Sequence, residues 1–322
     1  MAMLLIASWQ KRAISIPCYF VFIKVILMAI NIDDIVQQIE QVTGHVLTRY
    51  KLSSISGGGI NEAYKLQSDQ QSYFVKLNRP QLSAMFAAES LGMEEMRALN
   101  CLRIPEVICH GYTTRHSYLV LEYIELGSLR GVASQRLGSQ LAQLHLHSQP
   151  FYGWHIDNTI GSTPQHNNRE HDWLRFWQHH RLGQQLKFAS KNNASSHLQD
   201  KGQLLLEDLH LFFESYTPKP ALLHGDLWSG NAGADQQGNP VIFDPACYYG
   251  DREADIAMTE LFGGFDADFM MAYQTEYPLD YGYQTRKTLY NLYHIINHFN
   301  LFGLGYLGQA ETMIDQLLAE IK

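Results

Sequence analysis

The stretch LLHGDLWSGN at residues 222–231, followed by VIFDP at 241–245, constrains the fold more than any other part of the chain. The polar part of this stretch lies between two short apolar runs. Between them stand His224, Asp226, Trp228 and Asn231, together with two glycines. A surface turn has no use for so many polar groups beside an indole, whereas a phosphoryl-transfer loop does. It needs a carboxylate near the attacking hydroxyl, and Asp226 fits. It needs an oxygen ligand for Mg²⁺ shortly downstream, and Asn231 completes the spacing Asp-x-x-x-x-Asn. It needs a second oxygen ligand after the hairpin, where Asp244 lies, and hard oxygen donors suit Mg²⁺. His224 reads as a brace acting through hydrogen bonds rather than as a proton carrier. Asp255, in DREADIAM, either ties the loop to the following helix or caps that helix.

Upstream, residues 29–124 read as a small α+β lobe. A helix near 32–41 carries Ile35, Val36 and Ile39, with Asp33 or Asp34 as its cap. HVLTRYKLSSIS reads as a strand, SGGGINEAY as a glycine turn entering a second strand, and QSYFVKLNR as a third. LSAMFAAESLGMEEMRALN reads as a helix and YLVLEYIEL, Tyr118 to Leu126, as another strand. Lys76 lies in YFVKLN, after the glycine turn and before the helix. A lysine so placed can hold nucleotide phosphates when a helix glutamate orients it. Glu89 is the best candidate, with Glu94 and Glu95 as rivals. Gly57, Gly58 and Gly59 let backbone N–H groups approach an anion closely. They are not spaced G-x-G-x-x-G, and a flexible hairpin without a ligand is the alternative.

After Gly127 the chain turns helical. GWHIDNTIGSTPQHNN, residues 153–168, reads as a long loop of the kind that is often functional. DWLRFWQHHRLGQQL and LLLEDLHLFFESY read as helices, as does most of the chain beyond Arg252. The organisation expected is an extra segment over 1–28, a nucleotide-binding lobe over 29–124 and a catalytic lobe over 125–322.

The 322 residues suffice for two lobes with cores, and at 46% hydrophobic the chain is globular. A net charge of −8 without a basic stripe lacks the electrostatic footprint of a nucleic-acid binder. Cys18, Cys101, Cys109 and Cys247 form no C-x-x-C pair and read as free thiols of a reducing cytosol. His294 and His298 have the spacing of a zincin pair but lack its glutamate. They read as packing or surface residues, like the pairs His145/His147 and His179/His180. Lys11 and Arg12 precede AISIPCYFVFIKVILMA, which mimics a signal peptide or anchor. That run is shorter than the roughly 20 apolar residues of a span, and Pro17 and Lys24 interrupt it. Residues 1–27 are expected to lie upstream of the true start at Met28; a real anchor is the alternative.

HGDLWSGN, FDPACYYGDREADIAM and LFGGF resemble the fructosamine kinases, or ketosamine-3-kinases. These belong to the wider group of aminoglycoside and choline phosphotransferases with protein-kinase-like folds. The resemblance runs from about Ile30 to the C-terminus and includes SGGGINEAY, FVKLN, FAAE, LEYI, GWHIDNTIGSTPQ and DWLRFWQHHRL. Trp228 in H-G-D-L-W-x-G-N separates it from the general aminoglycoside kinases. The resemblance implies a two-lobed α+β fold. Its smaller lobe is an antiparallel sheet plus helix, its larger lobe is mainly helical, and ATP and Mg²⁺ bind in the cleft. It implies phosphorylation of the 3-hydroxyl of ketosamines, free or on protein lysines, and amine release from the unstable product. Bacterial-type members favour ribulosamines or erythrulosamines over fructosamines. It places Lys76 on the α- and β-phosphates with Glu89 as its partner, Gly57 to Gly59 over the phosphates, and Glu122 and Ile124 at adenine. It places Asp226 at the sugar hydroxyl, Asn231 and Asp244 on Mg²⁺, and Trp228 in the substrate pocket.

Some family members carry a cysteine in the glycine loop linked to redox control. Ser56-Gly57-Gly58-Gly59-Ile60 has none, so that switch is expected to be absent. A cytoplasmic monomer or homodimer without nucleic-acid or membrane partners is expected. The rival readings are a kinase for an aminoglycoside, choline or a sugar; a non-catalytic nucleotide-binding module; and a metal-dependent hydrolase built on His224 and Asp226.

Overall fold

Period-two alternation decides how the first half folds. In β3 (Ser72–Asn78), Tyr73, Val75 and Leu77 point to one side and Phe74 and Lys76 to the other. The first set, with Leu66, Tyr118 and Val120, packs on Ile35, Val36 and Ile39 of helix α1 (Asp33–Thr43). The computed structural model describes residues 32–55 and 59–321. The expected anchor or upstream segment, and with it Gly57 and Gly58, lies outside them. β1 (Lys51–Ile55), β2 (Glu62–Gln67), β3, β4 (Val107–Tyr112) and β5 (Ser117–Glu122) form an antiparallel sheet in the order β1-β2-β3-β5-β4. Helix α2 (Ser83–Ala98) covers the face that carries Lys76.

The second half is mainly helical: α3 (Val132–Leu146), α4 (Trp173–Phe176), α5 (Leu182–Lys191), α6 (Ser196–Glu207), α7 (Arg252–Thr259), α8 (Ala267–Glu276), α9 (Tyr283–Phe302) and α10 (Leu307–Glu320). Three small antiparallel pairs interrupt it. They join β6 (Asn158–Ile160) to β7 (Thr163–Gln165), β9 (Ala232–Ala234) to β10 (Pro240–Ile242), and β8 (Ala221–Leu223) to β11 (Tyr248–Gly250). The large core does not stop at residue 124: Phe86, Met93 and Met96 of α2 share it with Trp154, Cys247 and Tyr249. The result is an α+β fold in two parts, with α2 as the shared wall. No helix among the described residues is long and apolar enough to cross a membrane.

Local departures from the sequence reading have physical causes. Neither Asp33 nor Asp34 caps α1; Ile32 occupies that position and Asp33 accepts a 2.5 Å bond from the Tyr50 hydroxyl. The first strand starts only at Lys51, after Arg49 takes a positive φ of 52°. β5 ends at Glu122, so Tyr123 and Ile124 leave the sheet. The segment 153–168 is not a plain loop. Its β6–β7 hairpin is riveted by buried amides: Gln165 Nε2 donates to Asn158 Oδ1 (2.8 Å) and to the Ala246 carbonyl (3.0 Å). The helix expected over LLLEDLHLFFESY stops at Glu207 and a 3₁₀ turn follows over Leu209–Phe213.

One buried ion pair holds α7 against α9. Arg286, 2% exposed, donates to Glu253 Oε2 (2.7 Å), Asp280 Oδ1 (2.6 Å) and the Phe212 carbonyl (3.2 Å). Removing one partner of such a pair strands the other charge, which costs about 3–5 kcal/mol. Arg286→Met is expected to lower unfolding free energy by that amount in urea titrations, and a loss below about 1 kcal/mol would contradict a structural role for the pair.

Candidate active site

The stretch between β8 and β9 has almost no secondary structure to satisfy its backbone, so side chains do it. Asp255, buried in α7, accepts from the backbone N–H of His224 (2.7 Å) and of Gly225 (2.8 Å). Burial pushes its carboxyl up, but His145, His224 and those amides outweigh it and hold its pKa below the ordinary value. Asp251, not Asp255, caps α7, accepting from Glu253 N–H. Of the two sequence readings for Asp255, the tie to the loop is the one present. His224 is fully buried. Its Nε2 lies 2.9 Å from the Phe243 carbonyl and its Nδ1 accepts from Asp226 N–H at 3.3 Å. One neutral tautomer satisfies both bonds, and burial lowers its pKa accordingly. Gly225 has φ +81°, and a Cβ there would sit 2.2 Å from the Ala246 carbonyl oxygen, so only glycine fits.

Asp226 opens partly to the cleft. Asn231, buried, donates through Nδ2 to the Asp226 carbonyl (2.9 Å) and to its Oδ2 (3.2 Å). No described residue donates to the Asn231 amide oxygen. Burial, then the neighbouring Asp244, hold the Asp226 pKa well above the ordinary range, with Asn231 opposing. Asp244 itself has φ +60°, an uncommon conformation for a non-glycine residue that is stored at functional sites. Its carboxylate meets Lys76 Nζ.

Lys76 comes from the sheet, 3% exposed, and Nζ also lies 2.7 Å from Glu89 Oε1. Burial alone would depress its pKa; Asp244 and Glu89 reverse that and keep it a cation. Burial raises the Glu89 carboxyl, with Lys76 opposing. The rival glutamates do other work: Glu94 accepts from Ser90 (3.3 Å), and Glu95 from Trp154 Nε1 (2.7 Å) and Tyr249 (2.8 Å).

These groups face one cleft of about 840 Å³. Gly59, Lys76, Glu89, Glu122 and Ile124 line it, and so do Asp226, Trp228, Asn231 and Asp244. Glu122 uses its carboxylate on Arg103 (2.6 Å) and its N–H on the Glu106 carbonyl (2.8 Å). The Ile124 amide groups make no hydrogen bond among the described residues. The Trp228 indole lies over Gly230, where a Cβ would stand 2.3 Å from the ring. His224 and Asp255 stay behind the cleft, supporting the loop.

A family model, fructosamine kinase, matches residues 31–320. This chain belongs to the fructosamine kinase family. It is 49% identical over 285 residues to a Synechocystis protein assigned as a ketoamine kinase, covering 88% of this chain and 96% of that one. It is 42% identical over 299 residues to the chloroplastic protein-ribulosamine 3-kinase of Oryza sativa subsp. japonica, covering 92% and 87%. A crystal structure from Haemophilus somnus assigned as a fructosamine-3-kinase superposes with a TM-score of 0.80 at 29% identity, covering 88% of this chain and 96% of that one. The aminoglycoside phosphotransferase APH(4)-Ia, solved with AMP-PNP and hygromycin B, shares the fold alone, with a TM-score of 0.56 at 15% identity, covering 89% and 98%. The fold is therefore that of the protein-kinase-like phosphotransferases, and the chain is a kinase with ATP as its phosphoryl donor.

Sequence reasoning missed several cleft residues. His294 and His298, read as packing or surface groups, both line the cleft, as does Phe262 of the LFGGF segment. His294 is 5% exposed, and burial, then His298, depress its pKa to about 3. Below its ordinary value near 6.5 the unfolded chain binds a proton that the folded chain refuses. Its contribution to stability is complete above that pH and is lost as pH falls toward 3, by at most ~1.4 kcal/mol per pH unit. His294→Gln is expected to make unfolding free energy less steep between about pH 6 and 4; an unchanged slope would show that His294 titrates normally.

Proposed function

We propose that this chain transfers the γ-phosphoryl group of ATP to the 3-hydroxyl of a ketosamine, the sugar adduct of an amine or a protein lysine. The observation that carries this reading is the meeting of Lys76 with Asp244 beside Asp226. It sets a phosphate-binding cation and two carboxylates at one point of a cleft that also holds Trp228. The relatives' names, ketoamine kinase and protein-ribulosamine 3-kinase, support the acceptor class. The adduct's ribulose or erythrulose forms are the preferred sugars in this reading, and ATP supply favours the cytoplasm.

Each residue then has a physical task. Lys76, oriented by Glu89, holds the α- and β-phosphates, and the backbone of Gly57 to Gly59 covers them. Glu122 and Ile124 present backbone groups to adenine. Asp226 aligns the 3-hydroxyl with the γ-phosphorus and takes its proton as the new O–P bond forms and ADP leaves. Trp228 lays its flat face on the acceptor. The donor set fits Mg²⁺. Asp244 raises the proton affinity of Asp226, no described residue donates to the Asn231 amide oxygen, and all three offer hard oxygens. Asn231 and Asp244 would hold the ion, which when bound supplies neutralisation of charge growing on the phosphoryl oxygens. Product breakdown then frees the amine, which is deglycation.

The test is ADP release with ribulose-lysine, erythrulose-lysine and fructose-lysine. Asp226→Asn keeps the loop's shape and is expected to lower kcat by roughly 10²–10⁴-fold with little change in KM for ATP. Turnover of that variant at the wild-type rate would remove Asp226 from the chemistry.

A further inference from the structure

The cleft has a stretch of wall that the nucleotide and catalytic groups do not account for. Trp228, Phe262, His298, Phe302 and Tyr306 all line it. Their rings run in series. Centroids lie 6.4 Å apart for Trp228 and Phe262, 4.4 Å for Phe262 and His298, 5.5 Å for His298 and Phe302, and 5.1 Å for His298 and Tyr306. The series begins two residues after Asp226 and ends in solvent, where Phe302 is 54% exposed.

Phe262 is held in this series against its own backbone preference. Its φ is +40°, a region that bulky residues rarely enter, and Gly263 and Gly264 beside it are at +92° and +49°. Such a conformation costs on the order of 1–3 kcal/mol and persists only where its surroundings enforce it. Ser229, in the catalytic loop, donates to the Phe262 carbonyl at 3.4 Å. The strain keeps an aromatic face on the cleft wall.

Charge narrows the ligand. The charged side chains of the cleft, Lys76, Glu89, Glu122, Asp226 and Asp244, belong to its nucleotide and catalytic parts. Among the described residues the ring series carries no carboxylate to meet an ammonium. A cation there is met by π faces, and a methylene chain by ring area. His298 does not oppose a cation: burial keeps its pKa low, and its Nδ1 lies 2.8 Å from the His294 carbonyl.

We propose that this ring series is the subsite for the amine-bearing arm of the acceptor, a lysine side chain whose Nε carries the sugar. Trp228 meets the ammonium next to the sugar, Phe262 and His298 flank the methylenes, and the exposed end at Phe302 leaves the carrier of the lysine in solvent. The proposal rests on the ketosamine reading above.

The experiment compares kcat/KM for ribulosamine on methylamine and on the ε-amine of Nα-blocked lysine. The wild-type enzyme is expected to favour the lysine arm. The lysine-to-methylamine ratio should fall about tenfold in Phe262→Ala and in Tyr306→Ala, as loss of an aromatic contact implies, and be kept in Tyr306→Phe. Because the ratio cancels a general loss of folding or chemistry, an unchanged ratio in both alanine variants would overturn the subsite. So would a wild-type ratio near one with the methylamine adduct still turned over. Turnover of neither adduct by the wild type would instead overturn the ketosamine reading itself, and the subsite with it.

Discussion

A lysine ammonium that is almost wholly shut off from water has to be paired, because the penalty for burying an ion is roughly several kcal/mol. Lys76 is paired twice, and its partners come from different parts of the chain: Glu89 from α2 and Asp244 from the segment after β10. The cleft therefore depends on docking the sheet, the helix and the hairpin together. α2 cannot drift from its place cheaply. Glu95 is bound by Trp154 and Tyr249 from the helical part, and Gly92 comes so near Cys247 that a Cβ would stand 2.9 Å from the cysteine's own Cβ. The helix that delivers Glu89 is thus part of the large core rather than a lid on the sheet.

The same logic governs the segments that carry the proposed catalytic groups. Their strands are three residues long, too short to satisfy the neighbouring backbone by ladders. Asp255 serves the loop from below, His224 links it to Phe243, and the amides of Asn158 and Gln165 bind the residues after Asp244. Buried polar networks of this kind are costly when incomplete, which makes the loop's position strongly specified. Of the five described non-glycine residues with positive φ, Asp244 and Phe262 face the cleft.

How much of this can be read from the sequence follows from what each residue's role depends on. Asp226, Asn231 and Asp244 are legible because chemistry sets their spacing along the chain. Lys76 is legible because strand parity separates it from Tyr73, Val75 and Leu77. The choice among Glu89, Glu94 and Glu95 was open, since all three are compatible with one helix and only the docking of α2 selects the one that meets Lys76. Asn158 and Gln165 were hidden inside what read as a loop, because their strands lack apolar alternation. His294 and His298 were legible as helix residues but not as cleft residues: helical periodicity shows a buried face, not whether that face meets a neighbour or a cavity. The capping of α1 failed for a similar reason, since Asp33 was recruited by Tyr50.

The central claim is that this geometry directs a phosphoryl group to one hydroxyl of one class of acceptor. The most direct measurement is ¹H and ³¹P NMR of the reaction of ribulose-lysine with Mg-ATP, followed through product decay. The account predicts a phosphate coupled to the proton on C3, followed by release of free lysine. Phosphate on another hydroxyl, or ATP turnover that leaves the ribulose-lysine unchanged, would contradict it.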